Sequence, residues 1–260
     1  MDDLDILVTN DDGIDSLGFH ALYDALSEIG SVTAVAPADD QSAVGRSVSQ
    51  RVAVREHELG YVIEGTPVDC VVAGLSSLCP ETDLVVAGCN QGANMGAAVL
   101  GRSGTVSAAV EAAFHGVPGI AASLYVPSPD WEKDSEIPRE SYAPAVDAAT
   151  YLADRAFEEG LFEVADYLNI NAPSAKVCDG EMEITRPSHV YELSSQQDGD
   201  QIELVNPIWE KLAHGEISDP DGTDRRAIME NKISVSPLKA PHSTERIDAL
   251  DELAANYPGW

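Results

Sequence analysis

The chain has 260 residues, 44% of them hydrophobic, and carries 45 acidic side chains against 15 Lys and Arg, a formal net charge of −30. A field of that sign repels phosphate backbones and anionic headgroups, which argues against binding to nucleic acid or to a membrane surface. No apolar run approaches the ~20 residues of a membrane span.

The acids are scattered, and lysine is scarce: only Lys133, Lys176, Lys211, Lys232 and Lys239. That balance fits solubility in a very salty cytoplasm, where ions screen self-repulsion over a few ångströms. No basic segment followed by an apolar one opens the chain, so no signal peptide is expected. Cys70, Cys79, Cys89 and Cys178 form no C-x-x-C pair and have apolar neighbours. They read as reduced structural thiols of a cytoplasmic protein.

The segment "DILVTN", Asp5–Asn10, predicts a short strand ending in an Asp-Asp-Gly turn. Leu22, Ala25, Leu26 and Ile29 then fall at helical spacing, with Ser16 as N-cap and Gly30 as stop. "VTAVAP" follows as a second strand. "DLVVAGC", Asp83–Cys89, is another; "GTVSAAVEAAFHG", Gly104–Gly116, is an alanine-rich helix; "GIAASL" is a fourth strand. Apolar strands alternating with helices define an α/β fold, a mostly parallel sheet covered on both faces.

The segment Pro127–Glu140 is proline-rich and charged, and reads as a loop or linker. Beyond it, "SYAPAVDAATYLADRAFEEG" predicts a helix whose uneven apolar face comprises Val146, Ala149, Tyr151, Leu152 and Phe157. "DYLNINAP" is a strand. "EMEITRP", "HVYELSS", "QIELVNP" and "NKISVSPL" alternate apolar with polar residues and predict antiparallel ribbons. "STERIDALDELAANY" predicts an amphipathic tail helix, whose Ile247, Leu250 and Leu253 need a partner surface. One domain over residues 1–260 is expected: an α/β core over residues 1–126 bearing the site, then over 127–260 a helix, a last core strand, a β-hairpin and a C-terminal helix.

Ligands of parallel α/β sheets gather beyond the carboxyl ends of the strands. Three polar loops fall there: "NDDG", "APADDQSAVGRS" and "GCNQGANMGAAVLGRSGT". The adjacent carboxylates of Asp11 and Asp12 need compensation at a partly dry rim. No lysine is near in sequence, and Arg46 is the nearest arginine. A hard divalent cation would serve, with oxygen ligands favouring Mg²⁺, Mn²⁺ or Ca²⁺ over zinc. Equally, Asp-Asp-Gly is a common turn, and Asp12 could simply cap a helix.

Gly88, Gly92, Gly96, Gly101 and Gly104 allow backbone N–H groups to approach an anion, and Ser103-Gly104-Thr105 opens a helix whose N-terminus favours phosphate. Neither a Walker A motif nor G-x-G-x-x-G is present, which disfavours a dinucleotide cofactor. "DPDGTD", Asp219–Asp224, carries a hint of calcium, but a solvated turn is the plainer reading. The six histidines are dispersed.

The ordered blocks "ILVTNDDGIDSLGFHAL", "VAPADDQSA", "EGTPVDCV", "DLVVAGCNQGANMG", "SGTVSAAVEAAFHGVPGIAASL", "LNINAP", "DGTD" and "ISVSPL" closely resemble the survival protein SurE family of nucleotidases. The resemblance implies a Rossmann-like core and a C-terminal arm exchanged between subunits, giving a homodimer or tetramer. It implies hydrolysis of nucleoside 5′- and 3′-monophosphates with one divalent metal cation per subunit, Mg²⁺ or Mn²⁺. By position, the implied metal ligands are Asp11, Asp12, Ser42 and Asn90. Asn94 and Ser103-Gly104-Thr105 match positions lining the phosphate pocket. The second loop departs from the family pattern, with Asp39 and Asp40 where basic residues are usual, and "GRSGT" lacks an aromatic.

The mechanism expected on this reading is in-line attack by water, with Asp11 orienting or deprotonating it and Asn94 with helix N–H groups stabilising the equatorial oxygens. Direct attack by a carboxylate is the competing idea. Rival functions are a different α/β enzyme, a phosphate-ester hydrolase of broad specificity, and a non-catalytic nucleotide-binding protein.

Overall fold

A computed structural model of the chain describes residues 4–127 and 137–240, together with Asn256. The segment 128–136 of the expected loop and the tail helix with Ile247, Leu250 and Leu253 lie outside the described residues.

The strand β1 (Leu4–Thr9) alternates with period two, but both of its faces are buried. Ile6 and Val8 join one hydrophobic cluster and Leu7 another. The same holds for β5 (Leu84–Gln91): Leu84 and Val86 face one side, Val85 and Ala87 the other. This is why the strands read as continuous apolar runs rather than alternating ones. On the first face lie α1 (Leu17–Leu26) and α5 (Ala143–Arg155), burying Phe19, Leu22, Leu26, Val146, Ala149 and Leu152. On the second lie α2 (Pro67–Ala73) and α4 (Gly104–Phe114), burying Cys70, Val71, Ala108 and Ala112. The small side chains of α4 let it sit close to the sheet.

The remaining strands are β2 (Gly30–Pro37), β3 (Val54–His57), β4 (Gly60–Ile63), β6 (Gly119–Tyr125), β7 (Tyr167–Pro173), β8 (Met182–Ile184), β9 (Ser194–Asp198), β10 (Gln201–Val205) and β11 (Ile233–Leu238). Nine strands form one sheet in the order β3-β4-β2-β1-β5-β6-β7-β11-β8. From β4 through β7 the neighbours are parallel; β3 and β11 run antiparallel to β4 and β7. The chain leaves β1 toward β2 on one side, whereas β5 lies on the other. The boundary between β1 and β5 is therefore a topological switch point, where successive loops diverge and open a crevice.

The antiparallel ribbons expected in the second half are corrected in part. Among the described residues, only β9 and β10 form a separate antiparallel pair. The "NKISVSPL" strand, β11, joins the main sheet with Ile233–Ser236 buried, and β8 pairs parallel to it. Residues 189–193 of "HVYELSS" are not a strand. Tyr151 and Phe157 are also off the core face of the long helix, being 53% and 43% exposed. The helix ends at Arg155, and a short α6 (Leu161–Val164) follows. The β3–β4 hairpin was not expected; its outer strand is charged and short, which protects a sheet edge. The helix α1 ends at Leu26, and Gly30 begins β2 instead of stopping the helix.

Candidate active site

The crevice is built by side chains that close their own turns. After β1, buried Asn10 donates from Nδ2 to the Gly13 carbonyl at 2.7 Å and to Ser16 Oγ at 2.9 Å. This locks the turn that presents Asp11 and Asp12. Ser16 does stand at the N-cap of α1, but its side chain accepts from Asn10 instead of capping. Four further hydrogen bonds tie this turn to the other loops. The Asp11 carbonyl accepts the Gln41 N–H at 2.7 Å, from the loop after β2. Asp12 Oδ2 accepts the Gln91 N–H at 3.0 Å, at the end of β5. Asp11 Oδ1 accepts from the Thr105 hydroxyl at 2.5 Å and Oδ2 from the Thr105 N–H at 3.1 Å, in the first turn of α4.

Gly104 is required at that contact: a Cβ there would lie 2.8 Å from both Cβ and Oδ2 of Asp11. Ser103 caps α4, its Oγ accepting the Val106 N–H at 3.0 Å. The hydroxyls of Ser103 and Thr105 are thus both engaged within the protein, and Thr105 acts on Asp11. The N–H of Gly104 is the first-turn donor without a protein partner among the described residues.

The electrostatics are unbalanced. Burial pushes the Asp11 carboxyl above the ordinary carboxylate range, against the pull of the Thr105 hydrogen bonds. Burial, together with the neighbouring Asp11 charge, pushes Asp12 up to about 7. The Asp40 carboxylate adds to the repulsion felt by both. Among the described residues, no lysine, arginine or histidine pairs with Asp11, Asp12 or Asp40. Arg46, the nearest arginine in sequence, is held elsewhere: it pairs with Glu111 at 3.0 Å and lies over the Phe114 ring.

The other expected ligands offer neutral oxygens. Ser42 donates its hydroxyl to Asp40 Oδ1 at 2.6 Å, which leaves its oxygen free to accept. Asn90 follows an irregularity in the β5–β6 register between Ala87 and Asn90, a device that re-aims side chains. Its Nδ2 donates to the Gly92 carbonyl at 2.5 Å, so Oδ1 is the free acceptor. Two uncompensated carboxylates, a hydroxyl and an amide oxygen make an oxygen-only set that suits Mg²⁺ or Mn²⁺. Among the described residues no three His, Cys, Asp or Glu side chains cluster as a metal site.

Asn94 is buried and held by β6 and β7. Its Nδ2 lies 3.0 Å from Ser123 Oγ, its N–H donates to Asn171 Oδ1 at 2.7 Å, and its carbonyl accepts from Asn169 and Asn171. The sequence reading passed over Asn10, Ser123, Asn169 and Asn171. The available signal was polar side chains inside apolar strands, as in "LNINAP". "DPDGTD" is corrected: Asp219 and Asp224 are buried, not solvated. Asp224, at the start of α8 (Asp224–Met229), accepts the N–H groups of Gly96, Ser188 and Arg225. Gly96 sits at φ +85 with a would-be Cβ 2.2 Å from Arg225, so only glycine fits. The four cysteines are all free thiols.

A doubly wound α/β sheet with acidic and glycine-rich loops converging at its switch point defines the class: an α/β protein whose loops meet where ligands of such sheets bind. The family model for survival protein SurE matches residues 6–192. The chain is 60% identical over 259 residues to the 5′-nucleotidase SurE of Haloarcula marismortui, covering 99% of this chain and 96% of the relative. It is 39% identical over 243 residues to the protein of that name from Syntrophotalea carbinolica, covering 90% of each. The crystal structure of the SurE protein from Aquifex aeolicus superposes with a TM-score of 0.78 at 28% identity, covering 96% of this chain and 99% of that one. The chain belongs to the SurE family.

Proposed function

We propose that this protein is a metal-dependent 5′-nucleotidase that hydrolyses nucleoside 5′-monophosphates, and 3′-monophosphates, to nucleoside and phosphate. The nucleotidase activity follows from the family and from the relatives named above. The observation that carries the metal is the pair of buried Asp11 and half-buried Asp12, adjacent and without a basic partner among the described residues. Asp11, Asp12, Ser42 and Asn90 would hold one divalent cation, Mg²⁺ or Mn²⁺. When bound, that cation polarises a phosphoryl oxygen and acidifies water.

The chain's own residues supply the remainder. Asp11, oriented by Thr105, takes or orients the proton of the attacking water. Asn94 and the N–H of Gly104 receive the developing charge on the equatorial oxygens. With a net charge of −30, the cation and these neutral donors replace the basic residues that would otherwise attract a phosphate dianion.

The β9–β10 ribbon, with Ile202 and Leu204 63% and 72% exposed, supports its use as an arm in a homodimer or tetramer. No helix among the described residues is long and apolar enough to cross a membrane. A single domain in a salt-rich cytoplasm is the setting this composition fits. The test is phosphate release from AMP with Mn²⁺, with Mg²⁺ and with EDTA, at low and high salt. Metal-stimulated release abolished by EDTA is expected. Tight AMP binding without release would make the protein a nucleotide-binding module instead.

A further inference from the structure

Strand β7 carries Asn169 and Asn171 at alternate positions, both fully buried between Leu168, Ile170 and Ala172. Asparagine is a poor strand former, and a buried amide is costly unless hydrogen-bonded. Among the described residues, every side-chain hydrogen bond of these two asparagines goes to one residue, Asn94. Asn171 Oδ1 accepts the Asn94 N–H at 2.7 Å, and its Nδ2 donates to the Asn94 carbonyl at 3.2 Å. Asn169 Nδ2 donates to the same carbonyl at 2.9 Å. The Asn171 carboxamide thereby imitates a strand neighbour for a peptide that lies beyond the end of β5. Ser123, in register with Asn171 on one side and Asn90 on the other, contacts the Asn94 side chain.

We propose that Asn171 and Ser123 are positioning residues for the reaction: Asn171 fixes the Asn94 backbone and Ser123 fixes its side chain. This rests on the reading of Asn94 as a phosphate-pocket residue. Backbone clamping places the Asn94 Cα, and the hydroxyl fixes the rotation of the carboxamide through its Nδ2. The Ser123 hydroxyl has no partner but Asn94 among the described residues. It accepts from Asn94 Nδ2 at 3.0 Å, which holds the carboxamide and leaves the second amide hydrogen as the donor for a phosphoryl oxygen. A loosened Asn94 loses that aim, and misplacement by about 1 Å costs on the order of 100-fold in rate.

The experiment is a cycle on the intact protein: Asn94→Ala, Asn171→Ala, Ser123→Ala and each double variant with Asn94→Ala. Phosphate release from AMP gives kcat and KM, calorimetry gives Mn²⁺ affinity without substrate, and melting reports folding. Asn171→Ala is expected to lower kcat about 10–100-fold while Mn²⁺ affinity stays within about threefold. Ser123→Ala removes one hydroxyl and is expected to lower kcat about 3–10-fold. Each double variant should match Asn94→Ala within about twofold, because both residues act through Asn94.

Losses that multiply with Asn94→Ala, or a kcat unchanged in both single variants, overturn the proposal. Should Asn171→Ala not fold, Ser123→Ala and its double variant carry the same test. Full kcat in Asn94→Ala is a separate pattern: it rejects the pocket reading itself, and the positioning roles with it.

Discussion

Substituting Gly104→Ala separates site geometry from helix stability. Gly104 is the first residue of α4 and adopts helical backbone angles, so alanine favours the helix there by up to about 1 kcal/mol. The added Cβ, however, meets Asp11 Cβ and Oδ2 at 2.8 Å. Unstrained carbon contacts lie near about 3.5–4.0 Å, so a displacement of roughly 1 Å is required. Asp11 cannot swing aside freely, since both carboxylate oxygens are bound by Thr105 and its carbonyl by Gln41. The displacement therefore falls on the carboxylate proposed to hold the cation and orient the attacking water. AMP turnover with saturating Mn²⁺ should fall on the order of 100-fold, while the melting temperature of the metal-free protein changes by only a few degrees. Turnover within threefold of the parent, in a folded variant, would refute the argument that α4 sets the position of Asp11.

Asp12→Asn keeps an oxygen for the Gln91 N–H but removes one charge from a repelling pair. Its metal-free form should melt higher than the parent, its stabilisation by Mn²⁺ should disappear, and AMP hydrolysis should be mostly lost. For the parent without metal, the sign of the pH dependence follows from Asp12, whose carboxyl is raised from 3.8 to about 7 on folding. The folded chain then binds the proton more tightly than the unfolded one. This contribution is fully present below about pH 4 and is lost as pH rises through about 7, up to about 4 kcal/mol in all. Asp11 acts in the same direction. Melting in EDTA from pH 4 to 8 should show it, and Mn²⁺ should reverse the trend, because the cation binds the deprotonated carboxylates. Asp224→Ala leaves three backbone N–H groups without their acceptor and should cost about 3 kcal/mol or more in urea unfolding.

The order of strands and helices in the first half was legible in the chain, since buried parallel strands are apolar on both faces and cannot be mistaken for solvated loops. Ile6–Val8 and Leu84–Ala87 show this directly. The acidic pair after β1 was legible too, because adjacent carboxylates at a strand end demand an explanation from local chemistry alone. Ser42, Asn90 and Asn94 were not readable by themselves; only the resemblance singled them out. What the tertiary structure decided was pairing. The strand β11 alternates like a ribbon strand, yet its burial places it in the main sheet beside β7. Thr105 reads as a phosphate-facing residue, yet its hydroxyl faces Asp11. Asn171 and Asn94 are 77 positions apart, and Asp224 and Gly96 are 128 apart. Periodicity reports which face of an element is dry, because that depends on local spacing. It carries no information about which distant polar group meets another, and hydrogen bonds between such groups built this crevice.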